Sequence, residues 1–212
     1  MLHTDNFNRQ GVWVEEAMHR AANLRQLASS LQRLLDSGRI DPSNRPRAIR
    51  RANALVNAYQ SLESMDEAHP NSCGRELRDI AGGLVEIFGH TVGSLVLSLD
   101  LQPLWLTAEA RRALLLAGSE LVINSLRHAF IGRQTGVIQI ALYQDLVHQE
   151  GTLIVADDGV GPGDLKKGAG LGRGIVRELA CVLKGDVSWQ RSLLLGGTEV
   201  ILNFPLPVQD DK

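Results

Sequence analysis

The hydrophobic pattern of this chain changes its period at the short segment Ala68-His69-Pro70-Asn71-Ser72, and that change limits the folds open to it. Before it, Ala17, Ala21, Leu24, Ala28, Leu31 and Leu35 recur at alternating spacings of four and three, which places them on one stripe of a helix running from Val14 to Leu35. Ser37-Gly38 supplies a stop, residues 40–46 read as a turn, and Pro46 stands where it can open a second helix. That helix carries Ile49, Ala52, Val56 and Tyr59 on its stripe and runs to about Met65. Residues 1–68 therefore read as a helical hairpin. Two helices alone make a thin core, and pairing two copies into a four-helix bundle buries both seams, so a homodimer is expected.

After residue 72 helices and strands alternate, and a second domain is expected over 73–212. Helical spacing from Leu77 to Phe88 precedes a strand over Ser94 to Asp100, in which Leu95, Leu97 and Leu99 alternate with smaller or polar residues. Thr107 is placed to cap a long helix ending near Ala129. Strands are expected over Val137 to Tyr143 and Thr152 to Asp157, a helix over Gly172 to Leu183, and a closing antiparallel pair over Asp186 to Gln190 and Thr198 to Phe204. Gly196-Gly197 suits the connection within that pair. The fold class is α+β: the hairpin is followed by a two-layer α/β sandwich with a mostly antiparallel or mixed sheet.

Composition narrows the partners. With 22 basic against 24 acidic residues, no global field draws the chain to nucleic acid or to an anionic membrane. The longest apolar runs, such as Ala113 to Ala117, fall short of the ~20 residues of a membrane span. Residues 1–10 are polar, without a signal-peptide core, so a soluble cytoplasmic protein with no membrane insertion is expected. Cys73 and Cys181 match no metal-ligand or redox spacing and read as reduced, buried thiols.

Three segments carry chemistry. Residues 153–163 form an apolar strand that stops at Asp157-Asp158 and three close glycines, Gly159, Gly161 and Gly163. Such an end presents a carboxylate beside backbone that tolerates positive φ, so Asp157 can accept a hydrogen bond from an exocyclic amine such as that of adenine. A tight Asp-Gly turn explains the same residues about equally well. The cluster Gly168-Ala169-Gly170-Leu171-Gly172-Arg173-Gly174 then leads into a helix whose N-terminal amides favour phosphate oxygens. Lys166 and Lys167 stand between the two clusters, as phosphate-seeking cations or as a solvated pair. Third, Glu120, Asn124 and Arg127 or His128 share one side of the long helix. Oxygen ligands there suit Mg²⁺ held mainly through water and phosphate.

Together these segments resemble the catalytic ATP-binding domain of sensor histidine kinases, the Bergerat-type fold of the GHKL superfamily, over roughly residues 73–207. Residues 120–128 look like its N box, 157–161 like its first glycine box and 168–172 like its second; Gly197-Thr198 resembles the Gly-Thr pair before its last strand. The resemblance implies ATP and Mg²⁺ as ligands. Asn124 would coordinate the metal, Glu120 would take part in catalysis, and Asp157 would read the adenine amine with the help of Thr198. Arg127, His128, Gly159, Gly161, Lys166, Lys167, Gly168 and Leu171 would belong to the same nucleotide site, in which Gly170 and Gly172 border the phosphates.

The hairpin can then be reread as a dimerisation and phosphotransfer domain. His19-Arg20-Ala21-Ala22-Asn23 is similar to the His-Arg-x-x-Asn phosphoacceptor box of the HWE kinases and their close relatives. His19 lies off the Ala17, Ala21, Leu24 stripe, so its imidazole is expected to face solvent, with Asn23 four residues on along the same face. Neutral imidazole, with an unperturbed pKa of ~6.5, can attack phosphorus near neutral pH. The Trp-x-Glu signature of the HWE group is absent, which points to its sister subclass, and the segment between the glycine boxes is short.

The leading expectation is a histidine kinase core that moves the ATP γ-phosphoryl group to His19 and on to an aspartate of a response regulator receiver domain. Three alternatives share the same residues. One is a histidine phosphotransferase or phosphatase, one is a non-catalytic scaffold that binds a regulator and has a degenerate ATP site, and one is an anti-sigma-type serine kinase, which would not need His19.

Overall fold

A computed structural model describes residues 73–89, 92–162 and 171–207. The hairpin expected over 1–68, with His19 and Asn23, and the loop residues Lys166, Lys167, Gly168 and Gly170 lie outside the described residues.

The described elements run α1 (Cys73–Phe88), β1 (Ser94–Leu101), α2 (Ala108–His128), β2 (Thr135–Asp145), β3 (Glu150–Asp157), α3 (Leu171–Val182), β4 (Asp186–Arg191) and β5 (Thr198–Pro205). Each element expected between residues 73 and 207 is present, with ends displaced by a few residues. Thr107 caps α2 as expected: its hydroxyl oxygen accepts from the Ala110 amide at 3.2 Å while its own backbone is extended.

The five strands form one mixed sheet in the order β1-β2-β3-β5-β4. β1 and β2 are parallel, and the other three neighbouring pairs are antiparallel. A parallel pair needs a crossover, which α2 supplies between β1 and β2. Register aligns the apolar positions across all five strands. Leu99, Ile140, Val155, Val200 and Trp189 form one row, and Leu101, Leu142, Leu153, Leu202 and Val187 form the next. Leu142, Leu153 and Leu202 are wholly buried, and truncating one of them to alanine costs about 2–5 kcal/mol. The opposite sheet face carries polar cross-strand contacts, among them Thr152 to Asn203 at 2.9 Å and Tyr143 to Asp100 at 3.2 Å.

All three described helices cover the apolar face. Cys73, Leu77, Ile80, Ala81 and Leu84 put a single buried stripe on α1, whose opposite side holds Arg75, Arg78 and Asp79. α2 lies between α1 and α3 and over β3, and accordingly is buried on most of its circumference from Ala113 to Leu126. A buried ion pair, Arg111 Nε to Glu76 Oε2 at 3.9 Å, joins α2 to α1. Among the described residues no helix is long and apolar enough to cross a membrane. One expectation fails: Cys73 is buried, but Cys181 is exposed, because it falls on the outer side of α3 opposite Val176 and Ala180.

Candidate functional site

The alternation that buries Leu153 and Val155 carries Asp157 inward as well, so the apolar row of β3 ends in a carboxylate that is only 2% exposed. A buried carboxylate needs donors. Oδ1 accepts the amide N–H of Gly159 and that of Thr198, each at 3.0 Å, and Oδ2 accepts the hydroxyl of Ser125 at 2.9 Å. A carboxylate offers about four acceptor positions, so these three donors leave one on Oδ2.

Three elements therefore meet at this side chain: the end of β3, the start of β5 and the last turns of α2. Two glycines allow the approach. A β-carbon on Gly197 would collide with the carbonyl oxygen and Oδ1 of Asp157, and one on Gly159 would collide with the backbone and side chain of Ala129, the C-cap of α2. The space these glycines save is thus used against protein backbone.

Asp158, the second carboxylate of the motif, is committed elsewhere. Its N–H donates to the Val137 carbonyl at 3.2 Å, and its Oδ1 accepts the Val137 N–H at 2.8 Å. The Arg133 guanidinium donates to it twice, from Nη2 to Oδ2 at 2.9 Å and from Nη1 to its carbonyl oxygen. The Val160 N–H donates to the Ala129 carbonyl at 3.0 Å. Gly161 has a φ of 87° and lies beside Arg191, whose Nη1 donates to the Gly196 carbonyl at 2.6 Å.

Along α2, Glu120 is buried, Asn124 and Arg127 are half-buried and His128 is exposed. Burial raises the Glu120 carboxyl above its ordinary range, opposed by the positive charge of Arg127. Oε1 of Glu120 is buried without a hydrogen-bond partner. Asn124 lies one turn on from Glu120 and next to Ser125, which itself touches Asp157. Leu171 and Gly172 open α3, and the guanidinium carbons of Arg173 and Arg177 lie 5.8 and 5.1 Å from the Trp189 ring centroid, tying the start of α3 to β4.

The structure thus brings Asp157, Gly159 and Thr198 into one hydrogen-bonded cluster, with Glu120 and Asn124 on the adjoining turns of α2. Sequence reasoning missed Ser125 and Arg133. Ser125 could have been found as the small polar residue directly after Asn124 in an otherwise apolar stretch; Arg133, in the turn after α2, gives no signal beyond that of a solvated loop cation.

No family model matches the sequence. Blue-light-activated histidine kinase 2 of Erythrobacter litoralis (strain HTCC2594) is 28% identical over 170 residues, which cover 77% of this chain and 47% of that protein. The chain therefore spans about half the length of the curated relative it matches. The solved histidine kinase domain of the Erythrobacter litoralis EL346 blue-light activated histidine kinase is similar with a TM-score of 0.61 and 25% identity, over 89% of this chain and 94% of that one. The catalytic domain of histidine kinase ThkA, in a nucleotide-free form, has a TM-score of 0.50 at 20% identity over 62% of this chain and 92% of that one, a likeness of fold alone. The chain is homologous to a blue-light-activated histidine kinase, and its described part has the mixed-sheet, three-helix fold of histidine kinase catalytic domains.

Proposed function

We propose that this chain is a histidine kinase core of the subclass related to the HWE kinases: it binds ATP at Asp157, phosphorylates itself on His19 and passes the phosphoryl group to an aspartate of a response regulator. The observation that carries the reading is the Asp157 carboxylate, buried at a strand end and held by three donors, with one acceptor position left for an amine. Its homology to a histidine kinase supplies the reaction class.

The residues present fit an adenine nucleotide and a divalent cation. The spare lone pair on Asp157 Oδ2 suits the exocyclic amine of adenine, which is a donor. Magnesium is commonly held by one or two protein oxygens together with phosphate and water, so Asn124, half-buried beside this cluster, would be enough as its protein ligand. Bound there, the ion would neutralise charge on the transferring phosphoryl group. The buried Glu120, with one oxygen unpartnered, would hold a proton or a water of the metal's shell. Gly172, in the first turn of α3, would offer its amide to phosphate oxygens.

In the transfer, an imidazole nitrogen of His19 would form the N–P bond as the bond to the ADP oxygen breaks, the imidazole losing its proton to solvent. The hairpin would supply the homodimer that presents His19, and Asn23 would share its face. Incubation of the chain with γ-labelled ATP and Mg²⁺ tests this. Label that is lost in acid and absent from a His19→Ala variant supports the reading. Acid-stable label, or label that survives the substitution, contradicts it.

A further inference from the structure

We propose that Arg133 is a positioning residue for adenine recognition, acting through Asp158 on the neighbouring Asp157 carboxylate; the inference rests on the ATP reading above. Asp157 stands at the last rung of its strand. The ladder between β3 and β5 ends one residue earlier, at Ala156 opposite Glu199, and that between β2 and β3 ends at Asp157 opposite Ile138. Strand ends open locally unless something holds them. Beyond the Thr198 and Ser125 contacts to Asp157 itself, this end is held by Asp158, fixed on one side by both backbone groups of Val137 and on the other by two nitrogens of one guanidinium.

The two Arg133 contacts have different effects. Grasping the Asp158 side chain and its carbonyl oxygen together fixes the direction in which the chain leaves Asp158. The next amide, that of Gly159, turns back to donate to Asp157 Oδ1 at 3.0 Å. Rotation at Asp158 would withdraw that donor and leave the Asp157 carboxylate on the Thr198 amide and the Ser125 hydroxyl alone, loosening the acceptor position left on Oδ2. A planar, forked donor suits this task, whereas the ammonium of lysine cannot reproduce its fixed pair of directions.

Arg133 also bridges the two halves of the site. It lies in the turn between α2 and β2, donating its own N–H to the Phe130 carbonyl at 3.1 Å, and so ties the end of the helix bearing Glu120 and Asn124 to the end of β3. Its side chain is 35% exposed, and an ion pair that open to water adds little to global stability. Its loss is therefore expected to be felt at the site more than in the fold.

The test uses the full chain with Mg²⁺ and two nucleotides, ATP and purine riboside triphosphate, which lacks the exocyclic amine. Wild type is expected to prefer ATP. Arg133→Met should weaken ATP by about tenfold and leave the amine-free nucleotide within about threefold, with the melting temperature lowered by no more than about 3 °C. Asp158→Asn should produce the same selective loss, and the double variant should add little to either alone. If the methionine variant does not fold, Arg133→Lys carries the same expectation. Retained preference for ATP, or a parallel loss of both nucleotides, overturns the positioning role alone. A wild-type chain that binds neither nucleotide overturns the ATP reading, and this inference with it.

Discussion

Replacing Gly197 with alanine puts a methyl group where the carbonyl oxygen and Oδ1 of Asp157 and the amide nitrogen of Gly159 already stand. Two of these are backbone atoms, and Oδ1 is fixed by the amides of Gly159 and Thr198. To admit the methyl, the start of β5 has to retreat, and the Thr198 N–H leaves Asp157 Oδ1 from its present 3.0 Å. A hydrogen bond to a charged acceptor contributes about 1.5–3 kcal/mol, and forcing a methyl into packed surroundings adds about 1 kcal/mol or more. The variant should thus be destabilised by about 3 kcal/mol, which for a domain of this size lowers the melting temperature by about 10 °C. Gly174→Ala is the matched control: it lies within α3, a β-carbon there meets nothing within 4 Å, and alanine should gain about 0.5–1 kcal/mol. Urea denaturation of both variants gives the two signs directly. A Gly197→Ala chain as stable as wild type, with unchanged nucleotide affinity, would refute the arrangement of β5 around Asp157.

Two further outcomes follow from the packing of titratable groups. Because burial raises the Glu120 carboxyl, its contribution to stability is full below the ordinary value of 4.5 and is lost as pH rises through the raised folded value. Glu120→Gln should therefore be more stable than wild type at pH 8 and almost unchanged at pH 4; a gain of equal size at both pH values in melting experiments contradicts the burial of a raised carboxyl at this position. Burial, reinforced by Glu76, pushes the Cys73 thiol up to about 12, while Cys181 is exposed. At pH 8 a maleimide should modify Cys181 in the folded chain and Cys73 only in denaturant, as mass spectrometry of the peptides would show; rapid native labelling of Cys73 would contradict the packing of α1.

What was legible in the sequence was local. Thr107 is read as a cap because its chemistry is settled within three residues, and β3 because its apolar run ends at a carboxylate and glycines. Alternation placed Leu95, Leu97 and Leu99 on one face of β1, but nothing in it says that β1 pairs parallel with β2, since that choice depends on α2 crossing over between them. Polar spacing singled out Glu120 and Asn124 on α2. Ser125 and Arg133 were silent because their partners, Asp157 and Asp158, are 32 and 25 residues away and meet them only when the end of α2 reaches the end of β3. Asp158 shows the same limit: beside Asp157 it reads as a second presented carboxylate, and only the contacts from Val137 and Arg133 make it a fastening. Cys181 was misplaced because apolar chemistry alone does not say which side of α3 faces α2.

The measurement closest to the central claim is calorimetric titration of the full chain with ATP and Mg²⁺ beside an Asp157→Asn variant. Asparagine keeps an oxygen for the amides of Gly159 and Thr198, so the fold should persist, but it turns a donor group toward the amine that adenine would present. Wild type should bind one nucleotide per chain, and the variant should bind it about ten- to a hundredfold more weakly. No saturable binding by wild type, or equal affinity in the two chains, would contradict the assignment of Asp157 as the residue that reads the base.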